Sequence, residues 1–545
     1  MHFRYEPKEE KLIVSQSTRT EYHQLSIWLE RFVKGHRFLP AVKMGVWSGK
    51  KSYFDNGKVN LGLWKECYKA CKEIGVTFNL ENKEDFPLNR QVTLESVKDF
   101  CDDFFKNHKI LDKKTNTWIP FKPYDYQIET AYKILKNRYC MAEVATSGGK
   151  SLVISIIMFY TLKHINPEAK FLIIVPSITL VTQFYENIME YNYGVNFIDE
   201  YNKSIDFREP NLEIIKEKYS DYEPCNLRLE EIMSDKPRKF SGVTPPNVYV
   251  GCYQSLEKWD KEFFEQFHTI ACDEAHGAKA QTLTTILKRT FGYAYNRFGV
   301  SGTFPDDDSL EILTIQSVLG PNVTKIEAKT LVESGTITPM EIKAVILNHD
   351  MKDINEKLSM IKKTGAGSDV FRLEKELIQQ SDKRLEFIKK IVSKCQSNTL
   401  VLFHTIEYGK KIFNELKSTV TDKDFYYIDG EVANKEREFI KKEMEKTDER
   451  VKVLCASFGT LSTGVSINAI FNVVFADSFK SEQIIIQSIG RALRKHDSKK
   501  VATIFDIVDV FDANSMNNIL YRHFKEREKF YLKRNYPYTV HKITI

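Results

Sequence analysis

A lysine behind paired glycines and a distant pair of adjacent acids are the residues of this chain whose types and spacing could do chemistry together. In "EVATSGGKSLVI", residues 143–154, Thr146, Ser147, Gly148 and Gly149 lead into Lys150 and Ser151. Phosphate binding by such a loop needs successive backbone N–H groups pointing inward, a helix N-terminus behind them and a lysine that reaches the terminal phosphates. Val144 stands where the full pattern has its first glycine. A glycine there eases the turn but supplies no side-chain chemistry, so the pattern is weakened without losing a catalytic group. About 120 residues later, "HTIACDEAHG" sets Asp273 and Glu274 directly after an apolar run. Asp273 is assigned to a Mg2+ ion that bridges the β and γ phosphates of a nucleotide, with the Ser151 hydroxyl as a further ligand, and Glu274 to the attacking water. Taken singly, a GGKS tetrapeptide recurs by accident and an acidic pair after a strand is a common surface feature.

These groups need a scaffold that brings distant segments to one edge. Short apolar runs bounded by turn residues ("KFLIIVPS", "NVYVGC", "HTIACDE", "RFGVSGT") alternate with helical stretches, the pattern of a parallel sheet covered by helices. A second series follows: "NTLVLFH", "DFYYIDG", "RVKVLCAS", "FNVVFADS" and "KVATIFDIVD". "NRYCMAEV" supplies a strand before the loop, and "KSLVISIIMFYTLKHI" a buried helix after it. Residues 1 to about 110 mix short strands with helical pieces such as "TEYHQLSIWLERFV" and "LGLWKECYKACKEIGV", and "NHKILDKKTNTWIPFKPYD" reads as a connector. Residues from about 198 to 245 turn polar and lose periodicity, which reads as an insertion within the first sheet unit.

At 545 residues the chain is longer than one hydrophobic core usually supports, and 42% hydrophobic with 28% charged residues describes a folded multidomain protein. The net charge of +6 hides a local excess: residues 31–72 hold ten Lys or Arg against only Asp55 and Glu66. There Arg37, Lys43, Lys50 and Lys51 alternate with Phe38, Trp47, Tyr53 and Phe54, which suits a polyanion with stackable surfaces; a solvated face over a small core is the plainer alternative. The end "YRHFKEREKFYLKRN" is also basic. Nine scattered cysteines form no paired metal-ligand pattern and read as reduced, buried thiols. No apolar run reaches membrane-spanning length and the charged N-terminus is unlike a secretory signal, so a cytoplasmic protein is expected.

The series Tyr126-Gln127, "ATSGGKS", "IIVPSITLVTQF", "VGCYQSL", "DEAH", "VSGTF", "LVLFHT", "ASFGTLSTGVSI" and "QSIGRALR" resembles, in order and spacing, the motifs of superfamily 2 helicases. Within them the chain looks most like the phage UvsW type of branch-migrating helicase. The likeness rests on "RFLPAVKMGVWSGK", on the "SFGTLSTGVSI" form of motif V and on the "GRALRKHDSKKVATIFDIVD" continuation, and it covers nearly the whole chain outside 198–245.

The resemblance implies an α/β chain of two tandem RecA-like parallel-sheet domains with a small α+β N-terminal domain: 1–112 for substrate recognition, 113–335 for ATP binding and 336–545 as the second helicase domain. It implies that Gln127 contacts the adenine edge and that Arg491 and Arg494, three apart and so on one helical face, act as arginine fingers, with Gln487 a turn earlier orienting water or nucleotide. Gly464 would approach the nucleotide and Thr463 the nucleic acid, joined by Ser177, Gln183 and Ser255 as phosphate contacts. Ser301 and Thr303 would couple hydrolysis to motion through the acidic pair. The implied partner is branched or duplex DNA taken without sequence preference, beside single-strand-binding or recombination proteins, by a monomer acting in host cytoplasm if phage-encoded. The implied roles are junction branch migration, fork regression and R-loop or D-loop unwinding. From the residues alone, an RNA helicase of similar architecture and a nucleotide-gated clamp that does not translocate both remain open.

Overall fold

The computed structural model describes residues 1–112, 117–194, 224–233, 245–349, 367–446, 450–462, 467, 469–481, 485, 488–490, 501–511, 516 and 518–545. Contacts divide the chain into two compact units, Met1–Ala145 with Gly149–Glu327, and Thr146–Gly148 with Ala328–Ile545.

In the first unit the N-terminal segment carries six short strands: β1 (His2–Glu6), β2 (Lys11–Gln16), β3 (Glu30–Phe32), β4 (Lys50–Ser52), β5 (Lys58–Asn60) and β6 (Asn79–Leu80). Four form a sheet in the order β5-β2-β1-β6, while β3 and β4 pair separately as an antiparallel ribbon. The helical reading of "TEYHQLSIWLERFV" therefore runs too far. The helix Arg19–Trp28 stops before Glu30, where the chain enters β3. The expected connector likewise contains an antiparallel pair, β7 (Lys109–Asp112) and β8 (Thr117–Pro120).

The large sheet of this unit is built from β9 (Tyr139–Val144), β10 (Phe171–Val175), β11 (Leu229–Ile232), β12 (Val248–Cys252), β13 (Thr269–Cys272), β14 (Asn296–Ser301) and β15 (Asn322–Ile326). Its order is β11-β12-β10-β13-β14-β9-β15, with every pairing parallel. Side chains alternate between two apolar layers: Cys140, Ala142, Phe171 and Ile173 join one core, and Met141, Leu172, Ile174 and Ile270 the other. Both faces are buried, so these strands read as continuous apolar runs. β11 falls inside the span read as a polar insertion; "LEEI" is too short and too charged to signal an edge strand.

The second unit repeats the plan with β16 (Met340–Asn348), β17 (Thr399–Phe403), β18 (Lys423–Ile428), β19 (Val451–Ser457), β20 (Asn472–Phe475), β21 (Ala502–Val510) and β22 (Tyr538–Thr544). All pairings are parallel in the order β18-β19-β17-β20-β21-β16-β22. The two sheets with their covering helices are the tandem RecA-like architecture expected. β22 escapes sequence reading because Thr539, His541 and Lys542 interrupt its apolar pattern at an exposed edge. Two buried guanidinium–carboxylate pairs tie helices to β21. Arg384, on the helix Asp382–Lys394, grips Asp509 at 2.8 and 3.0 Å; Arg527, on the helix Ile519–Lys533, grips Asp506 at 3.0 and 2.8 Å. Such planar two-point contacts fix orientation as well as distance.

The N-terminal sheet is joined to the large sheet of its unit by a third buried pair. Arg297 of β14 donates to both carboxylate oxygens of Glu10, with Nη1 3.1 Å from Oε1, and the Gly292 N–H donates to the same oxygen at 2.8 Å. The guanidinium lies between the rings of Tyr139 and Phe291 and donates from Nε to the Val318 carbonyl at 2.7 Å. Nearby, Gly62 approaches the helix Leu310–Leu319 so closely that a Cβ would strike the Gln316 carbonyl. Removing one member of a buried pair strands the other charge, which costs about 3–5 kcal/mol. Glu10→Ala is therefore expected to lower the stability of the first unit by about 3 kcal/mol, read as a shift of the urea midpoint, whereas Glu9→Ala at the exposed neighbour leaves it in place.

Candidate active site

In a parallel sheet the C-terminal ends of the strands lie along one edge, and the chemistry-bearing residues of the first unit gather there. β9 ends at Val144, which is buried and paired with Ile326 of β15. The strand thus occupies the position where the full loop pattern has a glycine. Thr146, Ser147 and Gly148 form the loop, Gly149 caps the helix Lys150–Tyr160 in the left-handed region at φ 75°, and Ser147 also has positive φ at 67°. A side chain at position 149 would be strained by that φ and would collide with the Gln127 amide. Gln127 is buried on the helix Asp125–Asn137, where its Oε1 accepts from the Tyr124 N–H at 2.9 Å. Its amide nitrogen is thereby directed toward the loop.

β13 ends immediately before Asp273 and Glu274. Lys150 Nζ lies 3.2 Å from Glu274 Oε1, so the lysine of the loop and the second acid already form an ion pair. Glu274 has φ 48° and ψ 47°, a conformation that costs a non-glycine residue energy and that clusters at functional sites. On its other side His276 Nδ1 is 3.3 Å from Glu274 Oε2 and 2.9 Å from Ser301 Oγ, and Ser301 closes the ring at 3.5 Å from that same carboxylate oxygen. Burial opposes ionisation of Glu274, but Lys150 and then His276 hold its carboxyl well below the usual range. Asp273 behaves in the opposite way. Burial, followed by the charge of Glu274, pushes it up to about 6, and its Oδ1 is buried without a hydrogen-bond partner.

An orphaned carboxylate oxygen with raised proton affinity beside a phosphate-binding loop fits a divalent cation, which would supply the missing positive charge. Asp273 and Ser151 are the residues that would hold it. Ser151, in the first turn of its helix, has its hydroxyl 3.5 Å from the Tyr191 hydroxyl. The geometry therefore brings together Gln127, Gly149, Lys150, Ser151, Asp273, Glu274 and Ser301. Thr303 enters through its backbone, its carbonyl accepting from Ser301 Oγ at 2.8 Å. His276 and Tyr191 were not among the residues expected from sequence. The spacing within "DEAH" could have pointed to His276, but nothing in the sequence sets Tyr191 beside Ser151. Thr463, Gly464, Gln487, Arg491 and Arg494 lie outside the described residues.

The residues expected to meet nucleic acid divide into three groups. Arg37, Lys43, Trp47 and Lys51 are exposed; Lys50 is half-buried and paired with Glu30 at 3.5 Å. Ser177 is the N-cap of the helix Ile178–Tyr193, and Gln183 follows on that helix, both half-buried. Ser255 departs from expectation. The short helix Tyr253–Leu256 turns it inward, where its hydroxyl lies 3.2 Å from the Cys252 sulfur, so its side chain is not presented for a phosphate contact.

Residues 120–306 match the family described as type III restriction enzyme, res subunit, and residues 383–496 match the helicase conserved C-terminal domain. The chain is 27% identical over 492 residues to the ATP-dependent DNA helicase uvsW of Enterobacteria phage T4, covering 90% of this chain and 87% of that protein. Among solved structures it is similar to T4 UvsW, at 23% identity, complete coverage of both chains and a TM-score of 0.46. It is also similar to the DNA-bound ATP-dependent type ISP restriction-modification enzyme LlaBIII, at 15% identity and a TM-score of 0.52 over 88% of this chain and 34% of that one. The latter likeness shows the shared fold.

The site's electrostatics make a test. Asp273→Asn removes a buried, poorly compensated charge and should raise stability in metal-free buffer by on the order of 1 kcal/mol, seen as a higher thermal midpoint. The unaltered protein should show an upward shift with Mg2+ that the same substitution abolishes, both read by differential scanning calorimetry.

Proposed function

Because this chain is an ATP-dependent helicase of superfamily 2, we propose that it is a DNA translocase whose substrates are branched: four-way junctions, regressed forks and R-loops or D-loops. The observation that carries the reading is the convergence of Lys150, Asp273 and Glu274 on one strand edge behind the Gly148-Gly149 loop. The 27% identity to a relative named as an ATP-dependent DNA helicase supports DNA over RNA.

Each residue has a task set by its surroundings. Backbone N–H groups of residues 147–151 and the helix behind them receive the phosphates. Lys150 exchanges its ion pair with Glu274 for the terminal phosphates, which frees that carboxylate as ATP arrives. Glu274, held ionised, then accepts a hydrogen bond from the attacking water and orients it. Asp273 and Ser151 would hold Mg2+, which would supply positive charge to neutralise the phosphates. Gln127, with its amide directed at the loop, reads the base. Ser301 and His276 grip the far side of Glu274, so a change at the nucleotide is felt on β14. Arg491 and Arg494 complete the proposal as the fingers implied by the family motif. Contacts at the N-terminus of Ile178–Tyr193 are to phosphates, which gives grip without sequence preference.

Lys150→Ala is expected to reduce ATP turnover by about 10²–10³-fold while leaving nucleotide-free DNA binding in place. ATP-driven unwinding of a synthetic four-way junction should outpace that of a linear duplex. Stimulation of the ATPase by RNA alone would remove the DNA assignment, and equal rates on both DNAs would remove the preference for branches.

A further inference from the structure

Residues 33–49, which join β3 to β4, form a small ordered projection that the ATP site does not use. Its base is fixed by the β3–β4 ladder, by the Val33 N–H donating to the Gly49 carbonyl at 2.8 Å and by Arg31, which donates to the Asp308 carbonyl at 3.1 Å. A 3-10 turn, His36–Phe38, and a short helix, Pro40–Lys43, run through it, and the Val46 N–H returns to the Ala41 carbonyl at 3.0 Å. The His36 ring packs over Gly49 so tightly that a Cβ there would strike it, and stacks on Phe32 at 4.4 Å. The backbone is thus tied down on both sides.

Several of its apolar side chains are not covered. Phe38, Met44 and Val46 are 79, 70 and 78% exposed. Single exposed apolar residues need no explanation, but three of this size on one 17-residue element do. The charge around them has one sign: residues 31–54 contain six Lys or Arg and no Asp or Glu. Glu30 compensates Lys50 alone, and the remaining combination suits a polyanion that also offers flat apolar faces better than a purely apolar protein surface, which would leave the cations unmatched. Paired duplex DNA hides its base faces. They are accessible where a duplex opens, at a branch point.

We propose that this projection is a branch-point wedge: Phe38, with Met44 and Val46 of the same element, stacks on the terminal base pair where strands part, while Arg37 and Lys43 hold the flanking phosphates. Inserted apolar side chains unstack bases by the same physics elsewhere, and each base–aromatic contact contributes enough to be felt in affinity. The inference rests on the DNA-helicase reading and adds to it the element that distinguishes branched from linear substrate.

The test is the double substitution Phe38→Ser with Met44→Ser, both far enough exposed to leave folding intact, with Phe38→Trp as the conservative control. The readouts are ATPase stimulated by linear DNA and the ratio of junction to linear-duplex affinity. The wedge predicts unchanged stimulation by linear DNA, a loss of about tenfold in the junction preference, and its retention in Phe38→Trp. A junction preference that survives the double substitution overturns the proposal, as does an equal loss on linear and branched DNA, which would make the element a general DNA contact. If the unaltered protein responds to RNA and not to DNA, the helicase reading on DNA fails and the wedge falls with it.

Discussion

Strand direction is the constraint from which the rest of this structure follows. Because β9, β13 and β14 run parallel, their C-terminal ends share one edge, and the residues that follow them are neighbours although more than 100 positions separate Lys150 from Asp273. An antiparallel pairing of β9 with β14 would send the loop and the acids to opposite ends of the sheet. Parallel strands require crossovers and cover on both faces, which explains the two apolar layers and the density of buried helices.

At that edge the protein holds charge in an unfinished arrangement. Glu274 is satisfied three times over, by Lys150, His276 and Ser301, while Asp273 beside it has a buried oxygen with no partner. The asymmetry between adjacent carboxylates separates their roles: one stays ionised to orient water, the other is left to a cation. Glu274 sits in left-handed backbone between β13 and the turn Ala275–Lys279, both of which contribute buried residues to the sheet core and so can hold such a conformation.

Away from the edge, buried arginines position whole elements. Arg297 with Glu10 joins the N-terminal sheet to the first large sheet, and Arg384 and Arg527 fix helices onto β21. A planar guanidinium satisfied on both sides specifies an orientation that apolar packing alone leaves loose. For the projection between β3 and β4 this matters directly: Tyr53, just beyond β4, is hydrogen-bonded to Thr314 of the large-sheet unit, so the exposed apolar tip is carried on a rigid support.

Sequence by itself determined the two sheet units, the loop before Lys150, the acidic pair and the basic N-terminal window, because each is written in local features: apolar runs, a glycine pair, a run of one charge. It ran "TEYHQLSIWLERFV" too far as a helix and missed β7, β8, β11, β15, β16 and β22; β16 is apolar enough to have been read, while the pairing partners of the others, and not their own composition, make them strands. Only the tertiary structure decided that Glu274 is paired with Lys150 while Asp273 Oδ1 is buried without a hydrogen bond, that Ser255 faces inward, and that His276 and Tyr191 join the site. Those facts depend on which segments the sheet brings within a few ångströms of one another, and separation along the chain carries no record of that distance.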